Sequence, residues 1–139
     1  MKQLILVATL SLASIGSAIA GPAADAAKIH FNAIAAGDLT AVMHGYAANP
    51  QLNWIGGPLD GTYVGADKLK DVWGKFTTAQ GPLKATVTNV QESGNPKGDT
   101  VTANVVFAGK TTIKVRYVMM YRDGKLANEI WQIDPSATY

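Results

Sequence analysis

Apolar positions along this chain repeat with two different periods, and the change falls near Leu83. Residues 23–36 are rich in Ala and nearly apolar all round, interrupted by Asp25, Lys28, His30 and Asn32. An Ala-rich helix with so little polar face is buried by its neighbours. Gly37 is a natural C′ residue and Asp38 a natural N-cap. Leu39, Val42, Met43 and Tyr46 then recur at i, i+3, i+4 and i+7, the stripe of a second helix that Asn49-Pro50 stops. Residues 51–55 read as a short strand, Gly56-Gly57-Pro58 as a turn, and Tyr63 with Val64 as another short strand. A third helix puts Leu69, Val72, Trp73 and Phe76 on one face and ends at Gly81-Pro82. Beyond Leu83 the period becomes two, and residues 85–92, 100–107, 111–121 and 126–133 form strands rich in Val, Thr, Ile and aromatics. Helices first and an antiparallel meander after them predict an α+β domain, three N-terminal helices packed on a curved, mostly antiparallel sheet.

The length of 139 residues supports one core and no more. A charge balance of +2, with no basic stripe, argues against nucleic acid as a partner. The chain has no Cys, which removes disulfides, thiolate metal sites and cysteine nucleophiles. Its first residues read as an address. Lys2 precedes an apolar run over residues 4–15, and Ala18-Ile19-Ala20 follows as a cleavage pattern ahead of Gly21-Pro22. That run is shorter than the roughly 20 apolar residues a membrane span needs. Residues 1–20 are therefore expected to be a cleaved secretory signal and residues 21–139 the mature single domain, periplasmic or secreted and free of the membrane after cleavage.

The order of several motifs resembles that of the nuclear-transport-factor-2-like, or SnoaL-like, superfamily. The motifs are Phe31-Asn32-Ala33-Ile34-Ala35-Ala36-Gly37-Asp38-Leu39, then Tyr46-Ala47-Ala48-Asn49 leading to Trp54, and Gly61-Thr62-Tyr63-Val64-Gly65 before the helix with Trp73. The tail Tyr121-Arg122-Asp123-Gly124-Lys125-Leu126 with Trp131 and Asp134 completes them, and together they span the mature chain. The resemblance implies a cone in which a strongly bent sheet wraps a long helix around a deep apolar pocket. It also implies a habit of homodimerisation. Relatives include ketosteroid isomerase, cyclases, dehydratases and noncatalytic binders, so fold alone does not settle function.

Which side chains face such a pocket turns on one strand pair. In residues 111–121 the odd positions Ile113, Val115, Tyr117, Met119 and Tyr121 form the buried face. A two-residue turn at Asp123-Gly124 sets Tyr121 opposite Leu126 and sends Asn128, Ile130 and Gln132 inward. A three-residue loop sets Tyr121 opposite Lys125 and sends Ala127, Glu129, Trp131 and Ile133 inward. A one-residue slip flips every side chain, and the apolar pattern favours the second register. Tyr117 and Glu129 then lie directly opposite one another on the inner wall, with His30 joining them from the first helix.

Against the resemblance, His30 falls where ketosteroid isomerase places a catalytic Tyr, and Tyr117 falls near its second oxyanion donor. The catalytic Asp of that enzyme falls on or near Trp54, where no carboxylate stands. A carboxyl group enclosed by apolar walls is suited to proton abstraction, and a His or Tyr donor could stabilise a developing oxyanion. The candidate catalytic residues are thus His30, Tyr117 and Glu129, with Glu129 or His30 as base and Tyr117 as donor. A buried Glu–Tyr or His–Tyr hydrogen bond equally satisfies polar atoms in a core. Trp54, Tyr63, Trp73, Met119, Tyr121 and Trp131 are core residues first, and those left around a cavity would bind ligand.

Other chemistry is poorly served. His44 lies off its helix stripe, and two His without Cys make a poor metal site, so neither metal nor cofactor is expected. Ser93 and Ser136 sit beside a turn and in the tail, which disfavours a serine nucleophile. Gly56-Gly57-Pro58-Leu59-Asp60-Gly61 lacks the Lys and helix start of a phosphate loop. Three readings remain: an exported binder of a small, largely apolar molecule; a cofactor-independent isomerase, cyclase or dehydratase; and a dimerisation module using an outer sheet face that includes Arg116 and Val118.

Overall fold

The structure, a computed structural model, describes residues 21–139, so the expected signal peptide at 1–20 lies outside the described residues. Helix α1 runs Pro22–Ala36, with Pro at its first turn where a missing N–H costs nothing. Its N-cap, Gly21, has no side chain to cap with, and Glu92 reaches across from the sheet to accept from the Ala24 amide at 2.8 Å. A Cβ on Gly21 would meet that same carboxyl group, which would have to shift to make room. Gly37, at φ 70°, closes the helix in the left-handed conformation, and the Gly37 amide bonds back to Ile34. Ala27, Phe31 and Ile34 are fully enclosed, as the Ala-rich pattern predicts.

Asp38 caps helix α2, Leu39–His44, by accepting from the Ala41 amide. Here the structure departs from the periodic reading. The helix stops at Gly45, and Tyr46 opens strand β1, Tyr46–Ile55, instead of completing a helical stripe. Pro50 therefore lies within a strand. It is tolerated because pairing between β1 and its neighbour is interrupted between Tyr46 and Gln51, where no ladder bond needs the absent N–H. Strand β2, Gly61–Val64, and helix α3, Ala66–Gln80, follow, and α3 buries Leu69, Val72, Trp73 and Phe76 as its pattern requires.

Strands β3 (Lys84–Asn95), β4 (Gly98–Ala108), β5 (Thr112–Arg122) and β6 (Lys125–Ile133) complete one six-stranded sheet ordered β2-β1-β6-β5-β4-β3. Only the β1–β6 pair is parallel. Among the described residues the sheet is curved but unclosed, with β2 and β3 at its two edges, so the architecture is an open cone. Two bulges bend it. In β3, Asn89 at φ 52° sits in the register break between Thr88 and Gln91; in β6, Ala127 has no partner on β5. Among the described residues no helix is long and apolar enough to cross a membrane.

The β6 bulge resolves the register question in an unforeseen way. Asp123 and Gly124, at φ 48° and 72°, form a two-residue turn that pairs Tyr121 with Leu126. That pairing alone would turn Asn128 inward. The extra residue Ala127 shifts the ladder, so Met119 meets Glu129, Tyr117 meets Trp131, and both Glu129 and Trp131 point inside. The turn is the one the first register expected, while the buried faces are those of the second. Tyr117 and Glu129 are consequently diagonal neighbours, not directly opposed.

Candidate functional site

Glu129 is the one buried carboxyl group among the described residues, and four elements supply its surroundings. β6 presents it inward through the Ala127 bulge. Tyr117, from β5, donates its hydroxyl to Oε2 at 2.5 Å. Tyr46, at the start of β1, donates to Oε1, and its own oxygen accepts from Trp73 Nε1 of α3 at 2.7 Å. His30, from α1, brings Nε2 within 3.3 Å of Oε2 at an angle that makes no hydrogen bond. The His30 ring meets Tyr46 edge-on, with centroids 5.2 Å apart.

Burial, and then the negative charge of Glu129, push the Tyr46 and Tyr117 phenols well above their ordinary value of 10.0. Both hydroxyls are therefore proton donors throughout the physiological range. Chemically the cluster is a carboxylate held by two phenols, with an imidazole alongside. Such a set can abstract or donate a proton where a substrate atom reaches it.

Among the described residues all four side chains of the cluster are buried. An apolar groove of about 540 Å³ opens on the molecule between the end of α3, the β1–β2 loop, the start of β5 and the chain after β6. Its walls include Leu59, Phe76, Ala79, Ile113 and Ile133, and Trp54 contributes to its floor. None of His30, Tyr46, Tyr117 and Glu129 lines it. Trp73 and Trp131 intervene, each packed against Trp54 at centroid distances of 5.3 and 4.7 Å, and both are fully buried.

The structure thus divides the sequence candidates. His30, Tyr117 and Glu129 are brought together, in the core. Of the six aromatic and Met candidates, Trp54 lines the groove. Trp73, Met119 and Trp131 are enclosed. Tyr63 is half-buried and donates to the Leu59 carbonyl at 2.7 Å, while Tyr121 borders a separate shallow depression at the β3–β4 hairpin. Tyr46 escaped the sequence reading because its i+7 position fits a helix stripe. The preceding Gly45, a helix-stop residue, was the available signal against that stripe.

No family model matches the sequence, nor does any curated protein sequence. Solved structures do. A protein of unknown function with a cystatin-like fold from Nostoc punctiforme superposes with a TM-score of 0.69 at 15% identity, over 82% of this chain and 90% of that one. An NTF-2 like protein of unknown function from Burkholderia xenovorans gives 0.66 at 19%, over 85% and 88%. A de novo designed protein with a curved β-sheet gives 0.66 at 17%, over 82% and 86%. The chain therefore has the NTF2-like, cystatin-like fold. That a designed protein shares this architecture underlines that the site must carry any functional argument.

Proposed function

We propose that this protein is an exported, noncatalytic binder of a small, largely apolar molecule seated in the groove floored by Trp54 and Phe76. The observation that carries the reading is the contrast between an open apolar groove of ligand size and a polar cluster spent on its own internal bonds. Export rests on the apolar run and cleavage pattern of residues 1–20. It is also consistent with Glu92: cleavage after Ala20 would create an ammonium on Gly21 at the positive end of α1, and the Glu92 carboxyl group at that position would offset it. The mass of the mature chain recovered outside the cytoplasm tests this, since a product beginning elsewhere than Gly21 contradicts it.

For the groove, N-phenyl-1-naphthylamine should show saturable fluorescence enhancement with the wild-type protein and none with Ala79→Trp, which fills the groove. Enhancement that Ala79→Trp leaves intact would place binding elsewhere.

A second reading has one observation in its favour, the two phenols converging on Glu129. It is a cofactor-independent isomerase, cyclase or dehydratase with Glu129 or His30 as base and Tyr117, joined by Tyr46, as donors. It requires Trp54 and the intervening Trp73 and Trp131 to swing aside. Turnover of an enolisable cyclic ketone, abolished by Glu129→Gln with binding spared, would establish it over the binder. Pairing of two copies through the outer sheet face around Arg116 and Val118 follows the habit that the family resemblance implies, and sedimentation of the mature chain at the monomer mass in analytical ultracentrifugation would contradict it.

A further inference from the structure

The apolar groove carries charge of one sign. Lys75 reaches it from α3 and Lys114 from β5, and among the described residues no Asp or Glu lines it. The acids nearest in sequence lie outside the lining and are already engaged. Asp60 accepts from the Gly56 amide at 2.7 Å, Asp71 pairs with Lys75 at 2.9 Å, and Asp134 accepts from the Ser136 hydroxyl at 3.2 Å. The other polar members, Gln80, Thr111 and Thr112, are neutral, and the Thr111 hydroxyl donates to the Gln80 side-chain carbonyl at 3.1 Å.

The two ammonium groups are held differently. Lys75 is 63% exposed, and its pair with Asp71, one helical turn back, is a surface pair that solvent and side-chain entropy weaken. It can turn toward the groove at little cost. Lys114 is half-buried, and its hydrogen bond goes to a neutral acceptor, the Ala137 carbonyl, at 2.6 Å. Among the described residues no carboxylate pairs with it. An ammonium carries three donors, so the Ala137 bond leaves Lys114 two for a ligand. A cation beside apolar walls is partly stripped of water, and a counter-charge placed there gains more than it would in open solvent.

We propose that the groove selects monoanionic amphiphiles, the apolar body lying on Trp54 and Phe76 and the anionic headgroup pairing with Lys114, with Lys75 as the second cation. The inference rests on the groove being a binding site, and it adds the class of ligand. A single negative charge is the shared chemistry, since an ammonium acts as a point charge and does not require the planar fork of a carboxylate.

The test displaces N-phenyl-1-naphthylamine from the mature protein with dodecanoate or with 1-dodecanol, which have the same carbon count and differ in headgroup charge. At low salt dodecanoate should bind about tenfold more tightly, a preference that added salt narrows by screening. Lys114→Met should bring the ratio of the two affinities close to one, and Lys114→Arg, which keeps the charge, should keep the ratio. Lys97→Gln, at the β3–β4 hairpin and outside the groove, should also keep it, which separates a local pair from the charge of the whole molecule. Should Lys114→Met fail to fold, Lys75→Met and the salt series decide, and a preference that neither narrows overturns the proposal. Equal affinities, a preference for the alcohol, a preference that survives Lys114→Met, or a bound probe that neither compound displaces overturns it while leaving the groove as a binding site. Absence of saturable probe binding overturns the groove reading, and this inference with it.

Discussion

A single hydroxyl, that of Tyr46, joins two elements to a third: it accepts from Trp73 on α3 and donates from β1 to Glu129 on β6. Tyr117 makes only the bond to Glu129. Removing either hydroxyl leaves the carboxyl group short of one donor, a loss of about 1.5–3 kcal/mol for a charge-assisted bond. Tyr46→Phe also strands the Trp73 N–H in the core, so it should cost about 1 kcal/mol more than Tyr117→Phe. Urea unfolding of the two variants checks the order, and equal losses would contradict the bridging role of Tyr46. The same residue marks where sequence reasoning stopped short. His30, Tyr117 and Glu129 could be gathered from face patterns and the family resemblance, whereas Tyr46 needed the knowledge that α2 ends at Gly45.

Among the elements, β6 and α1 carry the most instructive details. The Ala127 bulge moves Glu129 and Trp131 to the inner face by adding one unpaired residue, so deleting Ala127 while keeping the Asp123-Gly124 turn should leave Met120 opposite Asn128 and Met119 opposite Glu129 in a regular ladder, whereas inserting a second residue beside it should turn Glu129 and Trp131 outward. Exposing Trp131 is incompatible with this core, so the insertion variant should lose its near-ultraviolet circular dichroism at 25 °C while the deletion variant keeps it. A cooperative native melt from the insertion variant, or an unfolded deletion variant, would mean the register is set elsewhere. For α1, the cap is remote in sequence. Glu92→Ala should cost about 0.5–2 kcal/mol, the range for loss of an N-terminal cap, read as a lowered thermal midpoint. Neither feature was legible beforehand, since a bulge and a long-range cap leave no periodic trace in the chain. Helices α1 and α3 and most limits of β3 to β6 were legible, because alternation and 3.6-residue spacing are local records of which face is buried, whereas α2 was read one turn too far.

For the molecule as a whole, the buried phenols make stability depend on alkaline pH. Tyr46, Tyr117 and Tyr121 are all raised above the ordinary 10.0, burial being the first cause in each. In the unfolded chain these groups ionise as pH passes that value, while in the fold they keep their protons. The unfolded state then binds fewer protons, and stability falls as pH rises beyond 10, by up to about 1.4 kcal/mol per pH unit for each phenol. Below that pH they contribute no slope. Denaturation measured between pH 9 and 12 should show this fall, and Tyr46→Phe with Tyr117→Phe should flatten it. An unchanged slope in the double variant would show that the phenols ionise within the fold.

By itself the sequence determined the secondary-structure periods, the α+β class and the apolar faces, since these follow from spacing within a few neighbouring residues. Tertiary structure alone decided that a second phenol, Tyr46, joins Tyr117 on Glu129, that Trp73 and Trp131 lie between this cluster and the groove, and that Trp54 lines that groove. Those outcomes depend on how far a sheet bends and where one extra residue interrupts it. They join positions dozens of residues apart, and no local pattern encodes the distance between them.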